Sequence, residues 1–245
     1  MRIYRTTQVA KATEIHPNTV RLYEKLGLIP TALRQENGYR VFTDYHVEQI
    51  RLARMALKVE TLQNGLRKQA IGIVKAAAMR NLDEAFALAQ DYLRNIQNER
   101  ANALEAITQV EAILKDVRPT AALSTKRKEV ADHLQISMDT LRNWELNGLL
   151  IVQRKENGYR VYTEEDIRRL KIIRSLRCAN YSLEAILRML NALSGNADAN
   201  IQKALDTPDA QTDIISVCDK LLTSLGEAET NARSMLDQIA KLRHI

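Results

Sequence analysis

Thr19-Val20-Arg21-Leu22-Tyr23-Glu24-Lys25-Leu26-Gly27-Leu28 returns further along the chain as Thr140-Leu141-Arg142-Asn143-Trp144-Glu145-Leu146-Asn147-Gly148-Leu149. Glu36-Asn37-Gly38-Tyr39-Arg40-Val41-Phe42-Thr43 likewise returns as Glu156-Asn157-Gly158-Tyr159-Arg160-Val161-Tyr162-Thr163. The first pair is displaced by 121 residues and the second by 120, so one residue has been lost between them, in the segment that holds Pro30 in the first copy. Upstream, Val9-Ala10 and Ile15 match Val130-Ala131 and Ile136 at the displacement of 121. A one-residue gap inside a loop is what connections tolerate. The chain is two copies of one module.

Each copy reads the same way physically. A short helix, about Thr7–Ala12 or Lys126–Leu134, leads to a polar turn, His16-Pro17-Asn18 or Ser137-Met138-Asp139. A second helix then runs to Gly27 or Gly148, placed where the chain leaves a helix in the left-handed conformation. Two short helices joined by a tight turn make a helix-turn-helix. Asn37-Gly38 and Asn157-Gly158 then signal a tight hairpin between short extended runs. Basic residues stand on that hairpin: Arg34 and Arg40 in one copy, Arg154, Lys155 and Arg160 in the other. Thr43-Asp44 and Thr163-Glu164-Glu165-Asp166 open a further helix with a side-chain cap and early acidic residues. The module is a winged helix-turn-helix, and the fold class is mostly α.

The ordered string of Arg21/Arg142, Tyr23/Trp144, Glu24/Glu145 and Gly27/Gly148, followed by the Asn-Gly-Tyr-Arg wing, resembles the DNA-binding head of the MerR family of bacterial transcription regulators. Tyr181-Ser182-Leu183-Glu184-Ala185-Ile186 is similar to that family's fourth head helix. The first copy departs there, because Lys58-Val59-Glu60-Thr61-Leu62 lacks the glycine-aromatic-serine-leucine element, which implies a remodelled lower head. The resemblance covers roughly residues 3–58 and 124–193. Two heads in one chain are a departure from a family whose members usually carry one and dimerise.

Composition agrees with this organisation. Among 245 residues there are 8 Gly and 4 Pro, so turns are few and helix dominates. The net charge of +6 is uneven: residues 1–58 carry +5, residues 59–119 carry 0, residues 120–193 carry +4 and residues 194–245 carry −3. Nine of the eleven aromatic residues lie in the two basic blocks, the exceptions being Phe86 and Tyr92, and basic modules of this kind suit nucleic acid. These blocks define four segments. A first head, 1–58, is followed by a helical connector and first coiled-coil helix, 59–119. A second head, 120–193, is followed by an acidic connector and second coiled-coil helix, 194–245. No stretch approaches the roughly 20 apolar residues of a membrane span, Met1-Arg2-Ile3-Tyr4-Arg5 does not open a signal peptide, and a cytoplasmic protein is expected.

Behind each head runs an apolar repeat alternating by 3 and 4 residues. In the first it is Phe86, Ala89, Leu93, Ile96, Arg100, Ala103, Ile107, Val110, Leu114 and Val117, with Arg100 the break. In the second it is Ile214, Cys218, Leu221, Leu225, Ala228, Ala232, Met235, Ile239 and Leu242. About four heptads apiece favour coiled coil over a lone amphipathic helix packed on its own head. Members of the resembling family dimerise antiparallel through such a helix. Here the first long helix stops near Arg118-Pro119, within about six residues of the second head. The expectation is that helix 86–117 pairs antiparallel with helix 214–242 inside the chain, as a pseudo-dimer. A homodimer with four heads is the alternative.

The resemblance assigns the second helix of each head to the major groove and the wing to phosphates. Asn18, Thr19 and Arg21, with Asp139, Thr140 and Arg142, open that helix, while Thr7 and Lys128 lie on the preceding one. Arg21 and Arg142 either pair bidentately with guanine or clamp a phosphate. Tyr23 offers a hydroxyl to a phosphate, and Trp144 at the equivalent place only an indole nitrogen. Arg34, Asn37, Tyr39, Arg40, Arg154, Lys155, Asn157, Tyr159 and Arg160 are the wing candidates, with Tyr39 and Tyr159 alternatively core residues of the hairpin.

The implied function is a sequence-specific regulator that grips double-stranded promoter DNA with two non-identical heads, bends or untwists it, and acts on RNA polymerase indirectly. An architectural DNA-bending protein and a protein-binding adaptor are the alternatives. Cys178 and Cys218 are isolated and His16, His46, His133 and His244 have no ligand spacing, so no metal, cofactor or catalytic constellation is expected, and any small-molecule effector is unidentified.

Overall fold

The computed structural model describes residues 2–58, 65–115, 126–154, 158, 160–196, 199–207 and 220–245. Helices dominate the described residues. By packing, the chain divides into two compact units, one made of residues 1–98 with 224–245 and the other of residues 99–223. The first head is thus grouped with the C-terminal helix, far from it in sequence.

In the first unit, strand β1 (Ile3–Tyr4) leads to helices α1 (Thr6–Ala12) and α2 (Pro17–Lys25). Residue Glu14, between them, has φ of 55°, and its N–H reaches the Lys11 carbonyl while that of Ile15 reaches Ala10. These two bonds satisfy the open carbonyls at the end of α1 and set the turn. After α2, Gly27 at φ 67° repeats the device: its N–H reaches Glu24 and that of Leu28 reaches Tyr23. Strands β2 (Leu33–Arg34) and β3 (Arg40–Thr43) form the wing, in register Leu33↔Val41 and Arg34↔Arg40. β1 adds to the other edge of β3, a third strand too short to announce itself in the sequence. Val9, Val20, Ile29, Phe42, Val47 and Ile50 close the core beneath.

Helix α3 (Asp44–Lys58) follows β3 directly. His46 stands where an acidic cap residue would, its Nδ1 accepting from the Thr43 N–H at 3.1 Å. The first head does possess a fourth helix, α4 (Leu66–Ala78). The Tyr45 hydroxyl donates to the Ala77 carbonyl at 2.6 Å and Gln49 Nε2 to Val74 at 2.8 Å, which tie α4 onto α3. The departure at Lys58-Val59-Glu60-Thr61-Leu62 thus precedes a fourth helix and does not replace it, and residues 59–64 lie outside the described ones.

Helix α5 (Leu82–Lys115) is the long helix behind the first head, and α11 (Leu221–Leu242) is the C-terminal one. Within the first unit they run antiparallel. Arg243 donates to Asp83 at 2.6 Å and Gln97 to Glu229 at 3.1 Å, so fourteen residues forward along α5 match fourteen back along α11. On α11 the expected positions Leu221, Leu225, Ala228, Ala232, Met235, Ile239 and Leu242 are all buried, while Ile214 and Cys218 lie outside the described residues. The stripe on α5 is displaced: Ala85, Ala89, Tyr92 and Ile96 are buried, whereas Phe86 and Leu93 are half-buried and Arg100 is exposed. The apolar face there is wider than an a/d seam, which is what a helix serving both a coil and a packed globular layer requires. Further along, Ala103, Ile107 and Val110 are buried as expected, Leu114 is half-buried, and Val117 lies outside the described residues.

The second unit repeats the head with α6 (Arg127–His133), α7 (Met138–Leu146), β4 (Gln153–Arg154), β5 (Arg160–Val161), α8 (Glu164–Cys178) and α9 (Leu183–Gly195). Gln135 at φ 52° and Gly148 at φ 75° occupy the turns held by Glu14 and Gly27 in the first. Thr163 and Asp166 cap α8 reciprocally, with the Thr163 N–H donating to Asp166 Oδ2 at 2.8 Å and the Asp166 N–H to Thr163 Oγ1 at 3.1 Å. The segment after α9 includes α10 (Ile201–Asp206). Arg188 donates to the carbonyls of Ala204 and Leu205, both at 3.0 Å, and Asp206 accepts from the Leu222 N–H at 2.9 Å. Asn180, at the α8–α9 corner, donates to Glu99 on α5 at 3.1 Å. No helix among the described residues is long and apolar enough to cross a membrane.

Candidate nucleic-acid interface

Each recognition helix presents its first turn outward. Asn18, Arg21, Asp139 and Arg142 are exposed, and Thr19 and Thr140 half-buried. Thr7 on α1 and Lys128 on α6 are exposed as well. The helices start differently. His16 Nδ1 accepts from the Asn18 N–H at 3.1 Å in the first head, and Ser137 Oγ accepts from the Thr140 N–H at 3.0 Å in the second. Arg21 donates to Asn18 Oδ1 at 3.2 Å.

The wing of the first head is built by its own side chains. Asn37 Oδ1 accepts from the Tyr39 N–H at 3.1 Å, and the Gly38 N–H reaches the Gln35 carbonyl at 2.8 Å with Gly38 at φ 80°. Asn37 therefore shapes the turn through its side-chain oxygen, and the loop has three residues closed by a left-handed glycine. Tyr39 is 68% exposed, which excludes it from the hairpin core and leaves its ring and hydroxyl available. Arg34 and Arg154 are exposed. Gly158 has the same left-handed conformation as Gly38, while Lys155, Asn157 and Tyr159 lie outside the described residues.

Arg40 and Arg160 are engaged within the protein. Arg40 Nε meets Glu24 Oε2 at 2.6 Å, and Arg160 Nε meets Glu145 Oε2 at 2.9 Å, so each wing is tied to its recognition helix. Glu24 also accepts from the Ala32 N–H at 3.1 Å, and Glu145 from the Tyr162 hydroxyl at 2.5 Å. Burial and the Glu145 carboxylate push the Tyr162 phenol upward. These two arginines orient the wing; a phosphate would have to compete with a charge-assisted bond that is half-screened from water.

Trp144 is 4% exposed. It packs beneath α7, with an edge on the groove lined also by Asp139, Thr140, Asn143, Arg174 and Cys178. Tyr23 is half-buried against the first core. Burial raises its phenol and Arg54 opposes that, and it lines a groove of about 550 Å³ with Arg51, Arg54, Met55, Leu57 and Lys58.

Two pairs escaped the sequence reading. Arg54 donates to the Thr13 carbonyl and lies 3.7 Å from Glu14, and Arg174 donates to Gln135 at 3.4 Å. Gln49 donates to the Leu28 carbonyl at 3.0 Å, and Arg169 to that of Leu149 at 2.7 Å. Both pairs fix α3 or α8 against the helix-turn-helix, and the displacement of 120 between members was the signal that could have found them.

Comparison with known proteins follows the same two segments. Residues 5–42 match the family model described as MerR family regulatory protein, and residues 126–193 the one described as MerR HTH family regulatory protein. The HTH-type transcriptional regulator CueR of Salmonella typhi is 42% identical over 53 residues, which are 22% of this chain and 38% of that protein. The HTH-type transcriptional regulator ZntR of Escherichia coli (strain K12) is 39% identical over 64 residues, 26% of this chain and 45% of that protein. The chain thus spans less than half the length of these relatives. No solved structure matches it. Two exposed recognition turns, two wings tied by the same glutamate–arginine pair and two separate family matches lead to one conclusion: the chain carries two heads of the MerR family in tandem.

Proposed function

We propose that the protein is a sequence-specific regulator of transcription that engages one stretch of double-stranded promoter DNA with both heads, as a pseudo-dimer formed within a single chain. The observation that carries this reading is the pairing of α11 with α5, in which Asp83 meets Arg243 and Gln97 meets Glu229. In this reading one chain supplies both partners of an antiparallel coil that would otherwise need two. Exposed Asn18, Arg21, Asp139 and Arg142 read bases or hold phosphates, and Arg34, Tyr39 and Arg154 extend the grip along the backbone. Bending or untwisting a site costs on the order of 1–6 kcal/mol, which contacts from two heads offset. Control by a small-molecule effector and an indirect action on RNA polymerase complete the proposal.

The test combines stoichiometry with binding. Sedimentation of the protein on an operator selected from genomic fragments should give one chain per DNA. Arg21→Ala and Arg142→Ala should each weaken binding at least tenfold and reduce its salt dependence by about one counterion for each phosphate no longer held. Two chains per operator would replace the pseudo-dimer with a four-headed homodimer, and absence of any retained fragment would favour a protein-binding adaptor.

A further inference from the structure

The first turns of the two recognition helices present opposite hydrogen-bonding character at equivalent positions. In the first head the Asn18 amide oxygen accepts from Arg21 at 3.2 Å, so the pair's N–H groups outnumber the one lone pair left on that oxygen. In the second head the equivalent residue is Asp139, exposed at the same place on a helix whose Arg142 is also exposed. Neither Asp139 nor Arg142 has a side-chain partner among the described residues. Thr140 is not a competing reader, because its hydroxyl lies 2.8 Å from Ser137 Oγ, turned back into the cap. A carboxylate is an acceptor alone.

We infer that Asn18 with Arg21 selects guanine in one half-site and that Asp139 selects cytosine at the corresponding position of the other. This rests on the DNA-binding reading above and adds the base identity to it. Guanine presents two acceptors, O6 and N7, to the major groove, which suits a pair rich in N–H donors. Cytosine presents its N4 amino donor, flanked on its own base by a C–H edge. Adenine also has an amino donor, but its N7 and the O4 of its thymine partner flank that donor on both sides and repel a carboxylate. The operator is then an inverted repeat broken at one base pair, with guanine on the reading strand of the first half-site and cytosine on that of the second.

Selection from a random duplex pool with the full chain, followed by competition between defined duplexes, tests this. Wild-type protein should enrich the broken repeat. Asp139→Asn recreates the first head's pairing with Arg142 and should exchange cytosine for guanine in the second half-site alone, by about fivefold or more in competition. Asn18→Asp should produce the reciprocal exchange in the first half-site, and in each variant the untouched half-site reports that the protein is folded. An enriched motif whose base does not move in either variant overturns the assignment and leaves DNA binding standing. A pool that yields no motif with wild-type protein overturns both.

Discussion

Glu48, near the start of α3, accepts a hydrogen bond at 2.8 Å from Gln238, which lies 190 residues later in the chain. Lys241 Nζ reaches the same carboxylate at 2.9 Å and Arg51 NH1 at 2.6 Å. Burial would push this carboxyl upward, but the donors from Gln238, Lys241 and Arg51 outweigh it and hold it below its ordinary value. Asn231 adds a bond to the Met55 carbonyl at 2.6 Å. The far end of the chain is thereby fastened to the first head.

Glu48→Ala should therefore destabilise the first unit by about 1–2 kcal/mol, since it removes the carboxylate that gathers Gln238, Lys241 and Arg51 and leaves Gln238 only the Glu48 carbonyl at 3.0 Å. Lys241→Ala removes a partly exposed ion pair and should cost under about 1 kcal/mol. Urea titration followed at a probe in the first head measures both, and equal losses in the two variants would contradict the hub role of Glu48.

Cutting the wing ties should act on DNA binding more than on folding. Glu24→Gln weakens the bond to Arg40, whose side chain is 29% exposed, and should cost about 1–2 kcal/mol of stability. If the tie aims the wing, affinity for operator DNA falls, and a double variant with Arg40→Ala loses no more than either change alone. Additive losses in that double-mutant cycle would mean that Arg40 contacts DNA directly.

Stability should decline with acid through His46. Burial foremost, with Arg80 nearby, holds this imidazole below its ordinary value of 6.5, against the Pro30 carbonyl and Glu24, which pull it up. Below about pH 6.5 the unfolded chain takes up a proton that the folded one refuses, so stability present above that pH is lost progressively as pH falls toward the folded value. His46→Gln should flatten this slope between about pH 6.5 and 5, measured as the unfolding midpoint against pH.

Two glycines predict opposite signs. An added Cβ meets nothing within 4 Å at either Gly27 or Gly226. Gly27 has φ 67°, so Gly27→Ala should cost about 1 kcal/mol from backbone strain alone. Gly226 lies within α11, and Gly226→Ala should stabilise by about 0.5–1 kcal/mol. Thermal melts of the two variants check the pair.

Much of the fold was legible because the repeat doubled every local signal. Gly27 and Gly148, Gly38 and Gly158, and Thr163 with Asp166 announced turns and caps through requirements of the backbone itself. What was not legible depended on long-range packing. Arg40 and Arg160 looked like surface cations because nothing local reveals that Glu24 and Glu145 face them across the hairpin. Trp144 replaces a half-buried tyrosine, and only the packing beneath α7 shows that the larger ring sinks into the core. The shift of the α5 stripe from Phe86 and Leu93 to Ala85 and Tyr92 likewise follows from a second layer against that helix. A heptad pattern, which assumes one partner, does not contain it.

The grouping of residues 1–98 with residues 224–245 has a consequence for synthesis. The head translated first is the one completed last. Its sheet and helices leave the ribosome early, yet Leu225, Met235, Ile239 and Leu242, with the donors Gln238 and Lys241, emerge only after the whole of the second head. The unit formed by residues 99–223 is contiguous and can close before they appear. Nascent chains should thus become protease-resistant in reverse of the order in which their heads are encoded, so that translation past the second head itself licenses the first.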